Sequence, residues 1–223
     1  MHVGLIGGIG PAATEVYYRG LVRAHAAAGR RLSLTIVNAD AHEMIANLEA
    51  ERAAVQATIF AGYIDQLRAG GCEAVALTSM GGHFCITELE AISTLPLINA
   101  IPVLDAYFGA LGVASIGVLG TRAVMDSKLY GLVSVDVVVP PPDELAAVHS
   151  AYVTMAAAGF ATPDQCSFFH DAATKLHQKQ GAEVVVLGGT DLSLAFRDAD
   201  LGFSIVDTAL VHVDAIARAA MAS

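Results

Sequence analysis

Two short loops bring polar side chains and glycines together directly after buried apolar runs. Residues 79–83 follow the run at residues 74–77, and residues 188–191 follow the run at residues 183–187. The hydroxyl, imidazole and carboxyl groups in these loops are types that accept or donate protons in catalysis. Backbone N–H groups beside glycines can bind a carboxylate oxygen. The two loops therefore predict proton transfer on a small bound anion.

Three residues of these loops are candidate proton-transfer groups. His83 titrates near neutral pH, which suits a general base, although it also suits a role in supporting the loop. Asp191 is a second candidate base, with the capping of a following helix as the alternative. Ser79 is a poor base at neutral pH unless a neighbouring group activates it. The nearby Cys85 is predicted to be a buried, inert thiol.

A third glycine-rich stretch opens the chain, because residues 8–13 fit the pattern G-x-G-x-x-A between a strand and a helix. In a dinucleotide site such a turn lets the backbone approach a pyrophosphate, and Asp40 would then bind the ribose. The same turn can instead present N–H groups to a carboxylate. We favour this second interpretation, which makes Gly8 and Gly10 candidate substrate-binding residues.

Short β-branched runs alternate with longer alanine-rich stretches, a pattern typical of α/β proteins. We predict strands over residues 3–6, 32–37, 74–77, 95–98, 115–119, 135–139 and 183–187. Predicted helices cover residues 12–28, 49–69, 146–158, 166–180 and 207–221.

Two stretches of the first half recur in the second half. Residues 4–7 match residues 117–120 at an offset of 113, and residues 71–77 match residues 181–187 at an offset of 110. Internal repeats of this kind indicate duplicated structural units. We therefore predict two similar Rossmann-like lobes with parallel sheets and a pseudo-twofold repeat.

The repeat also predicts where a ligand binds. Lobe 1 is predicted to comprise residues 1–100 and 207–223, and lobe 2 residues 101–206. Ligands of open parallel sheets lie beyond the carboxyl ends of the strands, so we expect a ligand cleft between the lobes. Ser79 and Gly189 occupy equivalent positions in this scheme.

The composition excludes several classes of protein. The chain has 223 residues, 55% of them apolar, which excludes a disordered protein. Lys and Arg number 12 against 22 Asp and Glu, a net charge of −10 that argues against a nucleic-acid partner. The longest apolar run is about ten residues, too short to span a membrane. Three widely spaced cysteines predict a reduced, cytoplasmic protein without a metal site.

The loops together resemble those of one known family. Similar motifs occur in the same order at residues 7–14, 40–43, 120–122, 188–191 and 207–209, and the resemblance is to the aspartate/glutamate racemase superfamily. The resemblance implies two α/β lobes that exchange a C-terminal helix and bind an amino acid between them. It also implies that two cysteines on opposite walls move the α-proton without a cofactor. We further expect a homodimer.

The sequence departs from that family at both thiol positions, where Ser79 and Gly189 stand instead of cysteine. Gly189 has no side chain with which to exchange a proton. Met80 and Gly81 replace an asparagine and a threonine that help to hold the amino acid in the family. The sequence therefore argues against the two-thiol mechanism and against a zwitterionic amino-acid substrate.

The combined expectation is an isomerase or racemase that performs cofactor-independent proton transfer next to the carboxylate of a small substrate. The candidate catalytic residues are Ser79, Asp191 and His83. The candidate substrate-binding residues are Gly8, Gly10, Met80, Gly81, Gly82, Thr121, Gly189 and Thr190. The alternatives are a lyase or decarboxylase acting on a carboxylate that is not an amino acid, and a catalytically silent carboxylate-binding homologue.

Overall fold

The computed structural model describes residues 1–131, 134–197 and 199–222. The chain divides into two compact units, which we call unit 1 (Met1–Ala100 with His212–Ser223) and unit 2 (Ile101–Val211). Each unit contains a parallel sheet and helices, which confirms the predicted α/β class. The predicted lobe boundaries stay a prediction, because packing does not test whether either unit folds alone. Residues 132, 133, 198 and 223 of the predicted lobes lie outside the described residues.

Strands and helices alternate along unit 1. Its elements are β1 (His2–Gly7), α1 (Pro11–Ala27), β2 (Ser33–Asn38), α2 (Ala41–Glu49), α3 (Ala53–Ala69), β3 (Ala74–Leu77), a 3-10 turn (Gly81–Cys85) and α4 (Ile86–Ile92). The strands form a parallel sheet in the order β2-β1-β3. Phe60 and Ile64 of α3 are buried in one core with Val75 and Leu77 of β3. This core fixes the strand from which the 79–83 loop departs.

Unit 2 continues the alternation. Its elements are α5 (Ala100–Leu111), β4 (Ser115–Leu119), α6 (Arg122–Asp126), α7 (Lys128–Gly131), β5 (Asp136–Val138), α8 (Pro142–Ala158), α9 (Pro163–Gln180), β6 (Val184–Leu187), a 3-10 turn (Thr190–Leu192), α10 (Ser193–Phe196), β7 (Ser204–Asp207) and α11 (Thr208–Met221). The parallel sheet has the order β5-β4-β6-β7. From His212 onward, α11 belongs to unit 1. A capping box formed by Thr162 and Gln165 begins α9, and Gly181 ends it in the left-handed conformation.

The two sheets confirm the internal repeat. The order β2-β1-β3 in unit 1 corresponds to β5-β4-β6 in unit 2. Ile6 lies opposite Leu77, and Leu119 lies opposite Leu187, so the equivalent residues also share one register. Beyond each pair of strands the chain enters one of the two loops singled out above. The repeat therefore places residues 79 and 189 at the same step past their strands.

Each central strand carries one glycine against which a helix packs closely. A Cβ atom on Gly4 would lie 2.9 Å from a methyl of Leu67 in α3. A Cβ atom on Gly117 would lie 2.9 Å from Leu176 Cβ in α9. A side chain at Gly117 would therefore collide with α9 itself, whereas one at Gly4 would require the Leu67 side chain to move.

Two predicted elements of unit 1 are wrong in extent. The strand predicted over residues 95–98 is a single parallel bridge between Val75 and Leu97, since Pro96 has no N–H to extend the ladder. The helix predicted over residues 49–69 begins only at Ala53, because the chain turns at Glu51, whose φ is 55°. The sequence analysis also missed α2, α5 and β7, which are short or interrupted apolar patterns.

The longest described helix, α9, has 18 residues and carries several charged side chains. No helix in the described part of the chain combines the length and the apolar character needed to cross a membrane.

Candidate active site

The loop after β1 uses its polar groups within unit 1. The N–H of Gly8 donates to Thr14 Oγ1 at 2.9 Å, and the carbonyl of Gly10 accepts from the N–H of Thr14 at 3.2 Å. Asp40 caps α2, because its Oδ1 accepts from the N–H groups of His42 and Glu43 at 2.8 and 3.1 Å. This capping accounts for Asp40 without a ribose. The substrate-binding role of Gly8 and Gly10 stays a prediction.

The loop after β3 is anchored at its start. The N–H of Thr78 donates to the carbonyl of Ile6 at 3.1 Å, and the Thr78 hydroxyl donates to the same carbonyl at 3.2 Å. Ser79 follows and is half-buried, whereas Met80 and Gly82 are buried. The N–H of Gly82 donates to the Ser79 carbonyl at 3.2 Å, so this predicted carboxylate ligand already has an acceptor. The Ser79 side chain is thus held at the edge of a tightly turned segment.

His83 lies beneath this loop and braces it. The ring is 1% exposed, and Nδ1 lies 2.8 Å from the Ser79 carbonyl, so Nδ1 carries the proton and donates. Burial lowers the pKa of His83 to about 4. The ring is therefore neutral at pH 7 and a weak base. This geometry favours the supporting role over the role of general base.

A second buried histidine faces His83 from α11. The ring centroids of His83 and His212 lie 6.2 Å apart. His212 Nε2 donates to the carbonyl of Ile98 at 2.7 Å, which leaves Nδ1 to accept from the Tyr17 hydroxyl at 2.8 Å. Burial, with a smaller contribution from His83, lowers the pKa of His212 to about 3. Tyr17 itself is 1% exposed.

The loop after β6 begins with the equivalent anchor. The N–H of Gly188 donates to the carbonyl of Leu119 at 2.7 Å, as Thr78 does to Ile6 in unit 1. Gly189 then has an extended backbone, with φ −144° and ψ 129°, which any residue can adopt. A Cβ atom there would nevertheless lie 2.6 to 2.7 Å from Cε2, Cζ and Oη of Tyr152. The phenol ring of α8 thus occupies the space in which a side chain at position 189 would begin.

Tyr152 and Asp191 form a buried polar pair. The Tyr152 hydroxyl donates to Asp191 Oδ2 at 3.0 Å, and the two residues are 9% and 3% exposed. Burial raises the pKa of Asp191 above its usual value, although the hydrogen bond from Tyr152 opposes the shift. Burial and the charge of Asp191 raise the pKa of Tyr152 well above its usual value. The hydrogen bond provides a path along which a proton can pass between the phenol and the carboxylate.

The sequence analysis missed Tyr152, although a signal for it exists. Leu145, Val148, Tyr152 and Met155 form the buried stripe of α8 at helical spacing. A tyrosine on such a stripe needs a hydrogen-bond partner for its hydroxyl. Asp191 does not cap the following helix, because the capping positions of the 3-10 turn and of α10 are Gly189 and Leu192.

Asp207 adds a second carboxyl group to this end of the unit 2 sheet. It ends β7 opposite Leu187, and its Oδ1 accepts from the N–H of Ala209 at 2.9 Å at the start of α11. Burial raises the pKa of Asp207 to about 6. Its charge also contributes to the raised pKa of Tyr152. The sequence analysis included Asp207 in a motif but assigned it no role in the site.

The two predicted threonine ligands differ in their surroundings. Thr121 caps α6, because its hydroxyl oxygen accepts from the N–H of Val124 at 3.4 Å. Thr190 is 5% exposed, and its carbonyl accepts from the Ser193 hydroxyl at 2.8 Å. Their role in binding an anion stays a prediction.

The thiols lie apart from these groups. Cys85 is fully buried, and burial raises its pKa to about 12, so it is an inert thiol as the sequence predicts. Cys72 is buried, and burial also raises its pKa. Cys166 is half-buried within α9. Within residues 1–131, 134–197 and 199–222, no group of three His, Cys, Asp or Glu side chains has the arrangement of a metal site.

The structure therefore brings the predicted residues together as two sets. Ser79, Met80, Gly81, Gly82 and His83 form one turn of unit 1. Gly189, Thr190 and Asp191 form the equivalent turn of unit 2, to which α8 adds Tyr152.

Comparison with known proteins gives a family and a fold. A family model described as Asp/Glu/Hydantoin racemase matches residues 6–216. A Yersinia pestis protein assigned as an Asp/Glu racemase has a TM-score of 0.87 at 23% identity, covering 99% of this chain and 100% of that one. An aspartate racemase homologue from Pyrococcus horikoshii OT3 has a TM-score of 0.81 at 22% identity, covering 99% of both chains. The aspartate racemase of Picrophilus torridus has a TM-score of 0.75 at 15% identity, covering 99% of this chain and 95% of that one.

Proposed function

The chain belongs to the Asp/Glu/Hydantoin racemase family, as its loop motifs indicated, and on this premise we propose that it is a racemase or isomerase with an atypical site. The reaction is cofactor-independent proton transfer at the carbon next to the carboxylate of a small substrate. Asp191 is the general base. Backbone N–H groups at Gly189 and Thr190 hold the carboxylate and the enolate-like state that forms when the proton leaves, and Ser79 is a further candidate carboxylate ligand.

The observation that carries the proposal is the environment of Asp191. This carboxyl group is 3% exposed and lies four residues beyond β6, at the end of the sheet where ligands of parallel sheets bind. Burial raises its pKa. A carboxylate with a raised pKa is a stronger proton acceptor near neutral pH than an ordinary aspartate, which is the property a general base needs.

His83 supports this proposal from unit 1 without moving the proton itself. With a pKa of about 4, its ring accepts a proton poorly at pH 7. Its Nδ1–H group instead fixes the carbonyl of Ser79, which holds the Ser79 backbone in one conformation. We therefore assign His83 the role of positioning Ser79.

The substrate class follows from the side chains of the unit 1 loop. Met80 offers a thioether and Gly81 has no side chain, so neither side chain supplies an oxygen acceptor for an ammonium group. We propose a small carboxylate without a free α-ammonium group as substrate. Racemisation of aspartate or glutamate is accordingly expected to be very slow.

Solvent exchange tests this function directly. The protein is incubated in D2O with dicarboxylates, keto acids, aromatic acids, hydantoins, aspartate and glutamate, and proton NMR follows loss of the signal from the carbon next to the carboxyl group. We expect exchange of at least one carboxylate above the rate without protein, and little with the two amino acids. Asp191→Asn is the matched control, since it keeps the shape of the side chain and removes the base.

Two outcomes separate the alternatives. A carboxylate that raises the melting temperature without exchange or bond cleavage would favour a silent binding homologue. Release of carbon dioxide from a substrate would favour a decarboxylase. Rapid exchange of aspartate or glutamate would overturn the proposed substrate class.

We also propose a cytoplasmic homodimer. The thiols of Cys72, Cys85 and Cys166 are all free, which supports a reducing compartment. The proposed dimer rests on the family resemblance. A molar mass from light scattering of about twice the chain mass of 23.0 kDa would support it.

A further inference from the structure

Residues 79 and 189 are structurally equivalent but differ in what they carry. Each lies two residues beyond its strand, after a residue whose N–H donates to the central strand. In unit 1 this position has the hydroxyl group of Ser79. In unit 2 the position is Gly189, with no side chain. The site of unit 2 therefore lacks a reactive group of its own at the position where unit 1 has one.

The phenol of Tyr152 takes that place. Its Cε2, Cζ and Oη atoms lie 2.6 to 2.7 Å from where a Cβ atom on Gly189 would be. The backbone of Gly189 is extended, so the glycine is required by the ring and not by the conformation of the chain. A hydroxyl group thus stands at the equivalent position in both units, supplied by the loop in unit 1 and by α8 in unit 2.

We propose that Tyr152 is a catalytic residue whose hydroxyl relays the proton between the substrate carbon and Asp191. The proposal rests on the proposed function and adds the group that touches the substrate. In the forward step the C–H bond breaks, its electron pair stays on the substrate as an enolate, and the proton bonds to Tyr152 Oη. The original proton of Tyr152 passes at the same time to Asp191 Oδ2, 3.0 Å away. Reversal of both transfers returns a proton to carbon.

Burial explains why a relay is needed. Asp191 is 3% exposed, and its Oδ2 accepts from the Tyr152 hydroxyl, so that hydroxyl is the group with which Oδ2 can exchange a proton. Tyr152 is 9% exposed, and its ring lies against Gly189, so its hydroxyl is next to the loop as well as to the carboxylate. A free phenolate would be costly here, because burial and the charges of Asp191 and Asp207 all raise the pKa of Tyr152. Transfer of both protons together avoids that phenolate and keeps the phenol neutral.

The test compares Tyr152→Phe with the wild type in the NMR exchange assay, using the carboxylate that the wild type exchanges fastest. Tyr18→Phe is the matched control, since this tyrosine is 50% exposed on α1. We expect Tyr152→Phe to lower the exchange rate by about 10²–10⁴-fold, the usual share of a proton-transfer group. The double variant with Asp191→Asn should lose no more than either single variant, because the two residues act as a unit. Tyr18→Phe should keep the full rate.

Proton inventory on the unmodified protein tests the relay even if a variant fails to fold. Only the Tyr152 proton comes from the solvent in this step, so the relay predicts a rate that falls linearly with the deuterium fraction of the solvent, whereas direct transfer from carbon to Asp191 predicts no such dependence. A rate that does not depend on the deuterium fraction, or a folded Tyr152→Phe variant with full activity, would overturn the relay and leave the proposed function standing. Absence of exchange by the wild type across the whole panel would overturn the proposed function, and the relay with it.

Discussion

The two units use the same backbone scaffold to present opposite kinds of chemistry. Unit 1 surrounds its loop with neutral groups, namely the hydroxyl of Ser79 and the buried rings of His83 and His212. Unit 2 surrounds the equivalent loop with acids, namely Asp191 and Asp207, and with the phenol of Tyr152. Asp191 even stands at the position that Gly81 occupies in unit 1, by the offset of 110. Strand order and register are thus retained where the reactive groups are not.

This difference shows which part of the fold decides the chemistry. The anchors Thr78 and Gly188 hold the two loops in the same way, so the strands determine only where a loop begins. The reactive character comes from helices packed behind the loops: α11 supplies His212 to unit 1, and α8 supplies Tyr152 to unit 2. A duplicated scaffold can therefore carry an asymmetric site.

The largest expected effect separates the roles of the two loops. Asp191→Asn should lower the exchange rate by about 10²–10⁴-fold, because the amide is not a base. His83→Gln should lower it much less, since a ring with a pKa of about 4 is already neutral and only positions Ser79. The rates are measured by proton NMR in D2O, with a melting curve for each variant. If the His83 variant melts normally and loses as much activity as the Asp191 variant, His83 is also a proton-transfer group.

The second prediction is that the two units respond to pH in opposite directions. His83 and His212 have folded pKa values of about 4 and about 3, below the value of about 6.5 expected in the unfolded chain. Between the folded and the unfolded pKa values, the unfolded state therefore binds more protons than the folded state. Unit 1 consequently loses stability as the pH falls from 6.5. For His83 the pKa shift corresponds to a loss of about 3 kcal/mol in unfolding free energy once the pH is below the folded pKa.

In unit 2, Asp207 gives the stability the opposite dependence on pH. Its folded pKa of about 6 lies above the unfolded value of about 3.8, so its contribution is present at low pH and is lost as the pH rises through 6. Hydrogen exchange at pH 4.5 and 7.5, corrected for intrinsic rates, should show acid weakening protection in β1 and β3 more than in β4 and β6. Equal weakening of both sheets would contradict the assignment. Asp207→Asn should remove the contribution of this group.

The third prediction compares equivalent positions. Gly189→Ala places a Cβ atom against the Tyr152 ring at about 2.6 Å and should cost about 1–3 kcal/mol in unfolding free energy. Ser79→Ala, which only removes a half-buried hydroxyl, should cost less. Urea denaturation measures both. Tyr152→Leu should relieve part of the cost of Gly189→Ala in the double variant; strict additivity would mean that the ring and position 189 do not compete for space.

The smallest expected effect concerns two buried hydroxyl groups. Tyr17→Phe leaves His212 Nδ1 without its donor and should cost about 1–2 kcal/mol. Thr208→Val in unit 2 removes the donor to the Leu187 carbonyl at 2.8 Å and should cost a similar amount. Thermal melts provide the comparison. A Tyr17→Phe variant with an unchanged melting temperature would indicate that the histidine pair of unit 1 is not part of a polar network that stabilises the fold.

The sequence predicted the scaffold better than the site. The repeated apolar runs around Ile6 and Leu119 specify buried parallel strands, so the register and the loop positions could be derived from residue types alone. The hydrogen-bond partner of Asp191 could not be derived in this way, since Tyr152 lies 39 residues earlier in the chain and contacts Asp191 only in the folded unit.

His83 shows a second reason for the limits of the sequence. Its ordinary pKa suggested a base, but the folded chain buries the ring against His212, 129 residues further along. Burial of a titratable group depends on such long-range packing, and local sequence does not report it.

The close helix contacts at Gly4 and Gly117 bear on the history of the chain. A side chain at Gly117 would push α9 away from its strand, and one at Gly4 would displace the Leu67 side chain, so selection has limited freedom there even after the loops diverge. Loop residues are constrained instead by single side chains packed on them, as Gly189 is by the Tyr152 ring, and such contacts can change as the loops diverge. A gene duplication is therefore expected to leave its most durable trace in these paired glycines, and searches for ancient internal symmetry in α/β proteins can use such contact glycines as alignment anchors when the catalytic residues no longer correspond.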